Sequence, residues 1–94
     1  MRAVGMIEVR GLVALAAGLD AMCKTAAQVE CVFIERVSGG YLAAGIRGEL
    51  AAVQEALDAS TVAVQKHGEL RRAQVYPHLH AEAAALLEQL ARPT

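Results

Sequence analysis

The chain has 94 residues, with ten acidic and nine basic side chains, a net charge of −1 and a hydrophobic fraction of 55%. That fits one domain and excludes a large enzyme with a deep cleft, intrinsic disorder and the basic footprint of a nucleic-acid binder. With no tryptophan and only 3% aromatic residues, there is no stacking platform for bases. The core must come from small aliphatic side chains, too thin a core for a lone chain of this size, so self-association is expected.

Residues 3–9 are mostly apolar and predict a strand, closed by Gly11. Leu12, Leu15, Leu19, Met22, Cys23 and Ala26 then recur at helical spacing and predict a helix over 12–26 with one apolar stripe. Glu8 and Arg10 interrupt the apolar start, so no signal peptide is expected there, and the uncharged run 11–19 is too short to span a bilayer. Residues 29–37 predict a second strand, Ser38-Gly39-Gly40 a turn and residues 41–48 a third strand, so 29–48 is an expected hairpin. Glu49 opens the next helical pattern near the positive end of its dipole, with Leu50, Val53, Leu57 and Val64 on one face and Gly68 as the stop. Residues 70–76 predict a fourth strand ended by Pro77, and Leu79, Ala83, Leu86, Leu87 and Leu90 a short third helix before Pro93. The order is β-α-β-β-α-β plus a terminal helix. The expected fold is α+β, ferredoxin-like, an antiparallel sheet with both helices on one face, in a single domain over residues 3–91.

Few residues invite chemistry. His78 and His80 form an H-x-H pair, but zinc needs three or four ligands, and His67, Cys23 and Cys31 are placed on other elements. Cys23 falls on the apolar stripe, and both cysteines are expected to be buried reduced thiols, as suits a cytosolic protein. The ten carboxylates fall mainly on expected helix surfaces and strand ends, with no forced pair for acid–base work. Arg71 and Arg72 are expected on opposite faces of a strand and so form no patch. Ser38-Gly39-Gly40 has no phosphate-loop spacing and reads, on its own, as a plain turn. No catalytic residue, metal site or cofactor is expected.

Taken together, five short stretches in order resemble the bacterial microcompartment shell domain, in its single-domain, hexamer-forming class. They are Gly5-Met6-Ile7-Glu8 with Gly11-Leu12; Asp20-Ala21-Met22-Cys23-Lys24-Thr25-Ala26; Glu35-Arg36-Val37-Ser38-Gly39-Gly40; Ile46-Arg47-Gly48-Glu49 with Ala52-Val53; and Val75-Tyr76-Pro77-His78-Leu79-His80. The resemblance implies a homo-hexameric tile with a central pore. Such tiles join like or paralogous hexamers, trimers and pentamers into a shell in the bacterial cytoplasm that encloses enzymes and passes small polar metabolites. It implies no membrane and no nucleic-acid partner. It places Ser38, Gly39 and Gly40 at the pore, Arg47 and Glu49 at the hexamer interface, and Lys24 and His78 at the tile edge. This chain differs from the family pattern in three places. The turn is Ser-Gly-Gly where the family has Gly-Ser-Gly, which implies a wider opening lined by backbone. His78 stands where the family has arginine, which implies looser sheets, with assembly that responds to pH where His78 lies near a charged partner. One extra residue lies between Lys24 and Val29.

A ferredoxin-like oligomeric regulatory or ligand-binding domain, with a pocket between subunits, is the competing reading. The joint presence of the pore turn and the edge lysine favours the shell tile.

Overall fold

A computed structural model describes residues 3–26, 28–78, 80, 82–83 and 85–86. The elements run β1 (Ala3–Arg10), α1 (Leu12–Thr25), β2 (Glu30–Arg36), β3 (Tyr41–Gly48), α2 (Leu50–His67) and β4 (Glu69–Tyr76). A single 3₁₀ turn, Ser38–Gly40, joins β2 to β3. Glu82, Ala83, Ala85 and Leu86 are helical; the remainder of the expected third helix lies outside the described residues.

The four strands form one antiparallel sheet in the order β2-β3-β1-β4, the ferredoxin-like arrangement expected from the element order. Alternation along β1 decides which face is covered. Ala3, Ile7 and Val9 are fully or nearly fully buried in a cluster with Leu15, Met22, Val53, Leu57 and Val64 from the two helices. Burying side chains such as Ile7 and Leu57 contributes roughly 1.5–3 kcal/mol each. The even positions of β1 turn to the other face, where Met6 and Glu8 line a shallow hollow with Ala43, Arg72, Gln74 and Tyr76.

The helices cross closely because the contact is built from small residues. A Cβ on Gly18 would lie 2.7 Å from a Val64 methyl and 2.9 Å from Ser60 Oγ. Ser60 itself is fully buried. The pair packs chiefly on β1, β3 and β4, and β2 is the edge strand it covers least. Phe33 on β2 instead lays its ring over Gly45 of β3, so closely that a Cβ at Gly45 would fall 2.1 Å from the ring.

Two details differ from the sequence-based expectation. Leu12, expected on the apolar stripe, is 72% exposed and Val13 68%, because the first turn of α1 projects past the sheet and burial begins at Ala14. Arg71 and Arg72 were expected on opposite faces. The β1–β4 register shifts between Glu8 and Val9, pairing Glu8 with Arg72 and Val9 with Leu70, so Arg71 is the extra residue of a β-bulge. Leu70 and Val75 pack toward the core, while Arg71 stacks on Tyr41 and Arg72 lines the open hollow. Both arginines therefore serve the helix-free face.

Candidate functional site

The Ser38–Gly40 turn caps one end of the sheet, and all three residues are exposed. Gly39 and Gly40 have φ of 78° and 81°, a left-handed conformation that costs an L-residue with a side chain about 1–2 kcal/mol. Two consecutive glycines are thus what the turn requires. The turn is closed by the Val37 N–H, which donates to the Tyr41 carbonyl at 2.8 Å, and is tied to the start of α1 by the Gly11 N–H donating to the Gly40 carbonyl at 3.4 Å. Only Ser38 presents a polar side chain; otherwise the surface is backbone N–H and C=O.

Behind the turn lies a cluster that no sequence motif marked. Tyr41, Arg10 and Glu69 sit side by side in one row across β3, β1 and β4, because Arg10 is register partner to both of the others. The Tyr41 hydroxyl reaches over the middle strand and donates to a Glu69 carboxylate oxygen. The Arg71 guanidinium stacks 4.7 Å from the ring centroid and that of Arg10 lies 5.8 Å away, both within cation–π range. The hydrogen bond to Glu69 holds the Tyr41 phenol above its ordinary range, with desolvation and the Glu69 charge acting the same way; Arg10 and Arg71 pull in the opposite direction.

Arg47, Glu49, Lys24 and His78 all lie at the other end. Arg47 is six residues along β3 from Tyr41, about 20 Å for an extended strand. Glu49 follows immediately as N-cap of α2; its carbonyl accepts from Val53 N–H at 2.9 Å, and its side chain makes no capping bond. Lys24 is in the last turn of α1, about 18 Å along the helix from Leu12. His78 is two residues beyond Tyr76, whose register partner Val4 also pairs with Arg47. The expected pore residues and the expected interface and edge residues thus occupy opposite ends of the molecule.

The end opposite the turn has its own charge pattern. Arg47, half-buried, donates to Glu30 Oε1 at 2.6 Å, across the β2–β3 ladder. Glu30 was not singled out in the sequence; its place opposite Arg47 follows from a register that only the hairpin geometry sets. Lys24 pairs with Asp20 one helical turn earlier at 2.8 Å, both side chains well exposed, and the hydrogen bond to that carboxylate, with its charge, raises the lysine's pKa.

Both cysteines are exposed, not buried as expected. Met22 takes the core position on α1 and turns Cys23 outward, while Cys31 lies on the edge strand that the helices cover least. Partial burial of its sulfur, with a smaller effect of the Cys23 thiol, pushes the Cys31 thiol up, which lowers its thiolate fraction and reactivity. His80 Nδ1 accepts from the Glu82 backbone N–H at 3.1 Å. Among the described residues no cluster of three or more His, Cys, Asp or Glu side chains could hold a metal ion, and no helix is long and apolar enough to cross a membrane.

This fold is that of the BMC domain, whose family model matches residues 3–79. The chain belongs to that family. It is 46% identical over 82 residues to the bacterial microcompartment shell protein EutM of Salmonella typhimurium, covering 87% of this chain and 84% of that protein. It is 42% identical over 90 residues to the carboxysome shell protein CsoS1A of Hydrogenovibrio crunogenus, covering 93% of each. Among solved structures it superposes, with a TM-score of 0.83 and 26% identity, on a microcompartments protein from Desulfitobacterium hafniense DCB, covering all of this chain and half of that one.

Proposed function

We propose that this chain is a structural tile of a bacterial microcompartment shell. Six copies surround a central opening, and the rims of neighbouring hexamers meet edge to edge. The observation that carries this reading is the placement of Ser38–Gly40 and of Lys24, His78 and Arg47 at opposite ends of one domain. A cyclic arrangement of such domains can bring one end to the axis and send the other outward.

Burial supports association. Leu12 and Val13 stand exposed beside the turn, and Leu12 lines a hollow with Val37, Tyr41 and Leu42. Closing a ring removes such apolar surface from water. At the axis, six Ser38 hydroxyls and the backbone of twelve glycines form a polar opening without an ionised side chain of its own. It passes small hydrophilic metabolites and discriminates weakly by charge. The relatives are named as shell proteins, and the role proposed for this chain is likewise structural, without catalysis, in a cytoplasmic compartment shell shared with paralogous tiles and built around enzymes.

Light scattering and negative-stain microscopy of the purified chain test this directly. Hexamers that extend into sheets or tubes are the expected result. Discrete dimers or trimers with no extended assembly overturn it in favour of an oligomeric ligand-binding domain.

A further inference from the structure

The Ser38–Gly40 turn raises a physical difficulty. Two glycines in succession carry the largest backbone entropy of any pair, so the turn does not hold its own shape. Where no side chain narrows an opening, its bore is set by where the backbone sits. Something outside the turn must therefore fix it.

We infer that Tyr41 is that brace, a positioning residue that holds the Ser38–Gly40 turn in one shape by anchoring it across the sheet to β4. Five contacts converge on it. Its carbonyl accepts the Val37 N–H and closes the turn. Its ring lies beside Gly39, 3.6 Å from where a Cβ there would stand. Its hydroxyl donates to Glu69 on a strand that does not neighbour β3, spanning two strand spacings, about 10 Å. Arg71 and Arg10 approach the ring, and Arg10 Nε is 3.8 Å from where a Gly40 Cβ would stand. The bulge that carries Arg71 onto this face is part of the device, because regular alternation would point it at the helices.

The chain has three aromatic residues, two Tyr and one Phe, and one of them is committed to this row. Glu69 offsets one guanidinium charge, so the ring is held by an attraction that is directional and partly neutralised. The brace rests on the pore reading only for its purpose; its existence is a property of the single chain.

Amide hydrogen exchange on the full chain tests it. The reporters are Val37 N–H and Gly11 N–H, whose acceptors are the carbonyls of Tyr41 and Gly40. Tyr41→Leu removes ring and hydroxyl and is expected to speed exchange at these two amides about five- to tenfold while the β1–β3 ladder keeps its protection. Tyr41→Phe keeps the stacks and loses the bond to Glu69, for an expected rise of about two- to threefold. Unchanged exchange at Val37 and Gly11 in Tyr41→Leu overturns the brace, and so does a uniform rise across the whole chain, which would mark Tyr41 as an ordinary stabilising residue. Local loosening with wild-type permeability of the assembled shell keeps the brace and removes the pore reading instead, so the two failures are distinguishable.

Discussion

At one end of β3 the chain presents a turn with a single polar side chain and two left-handed glycines, backed by a tyrosine held among two arginines and a glutamate. At the other end it presents charged side chains on three different elements, Lys24, Arg47 and Glu49, with His78 beyond β4, and the pairs that form there are simple ones, Lys24 with Asp20 and Arg47 with Glu30. The first end is bare at its tip and braced behind. The second is charged at its tip and lightly tied. A surface that must keep one shape for passing molecules needs the former arrangement. A surface that must meet another copy needs reachable, directional charge. The two helices, crossing at Gly18 and Ser60, act as the rigid spacer between them.

Breaking the spacer has the largest expected effect, since it removes both ends together. Gly18→Val forces atoms into a space already filled by Val64 and Ser60, and such overpacking costs roughly 1–3 kcal/mol. A lower midpoint in denaturant, with hexamers and sheets lost in parallel, is the expected outcome; an unchanged midpoint shows that the crossing tolerates separation.

Next comes Arg47, the residue proposed for the subunit interface. Arg47→Ala leaves Glu30 without its guanidinium and removes a fork of donors from the expected subunit boundary. Dissociation of the hexamer at micromolar concentration, with Val37 exchange unaltered, separates the rim from the turn. Persistence of the hexamer in light scattering removes Arg47 from the interface.

The turn end is broken without touching the rim by Gly39→Leu. It places a side chain at φ 78°, at a cost of about 1–2 kcal/mol, and narrows the opening. Slower passage of small substrates into intact compartments, with normal tile assembly, is expected; unaltered passage contradicts a role of Gly39 at the opening.

The outer edge is sharpened by Lys24→Ala and His78→Arg. The Lys24–Asp20 pair is exposed and lies within one helix, where such pairs contribute little to folding. Loss of sheets in Lys24→Ala at an unchanged thermal midpoint therefore reports contact between tiles and not the fold. His78→Arg is expected to promote sheets, and a reduced tendency to form them counts against that contact.

Smallest is the titration of the brace. The raised Tyr41 pKa means that the folded form holds the proton longer than the unfolded one. The brace's contribution is thus complete below about pH 10, the ordinary tyrosine value, and is lost as pH rises through the raised one. In Tyr76→Phe, where Tyr41 is the remaining tyrosine, phenolate absorbance is expected to appear above the ordinary range. Adding Glu69→Gln brings it down, because Arg10 and Arg71, which lower it, then act with only desolvation against them; no change on that substitution shows that Glu69 is not the cause.

Much of this was legible in the residues. The apolar run of β1, the helical recurrence through Leu15 and Met22 and the stop at Gly68 give elements that agree with the structure to within a residue or two. They do so because each is a local pattern with a period of its own. The turn and edge residues came from short motifs in order, and the topology now sets the two groups apart. What escaped depends on register. A single bulge moves Arg71 onto the face of Tyr41, and strand pairing brings Glu69 and Glu30 to their partners from 28 and 17 residues away. Cys31 escaped for a related reason: how far the helices cover a given strand is decided by packing, and β2 is covered least; Cys23 escaped because Met22 beside it takes the core position on α1.

A structure of the assembled particle, by electron cryomicroscopy of hexamers or two-dimensional sheets, tests the division into two ends most directly. The expected result is a sixfold ring with Ser38, Gly39 and Gly40 of every copy facing the axis, and with Lys24 and His78 at the outer rim against the next tile. A ring in which residues 38–40 lie away from the axis or are covered by another segment, or in which Lys24 and His78 face inward, contradicts it.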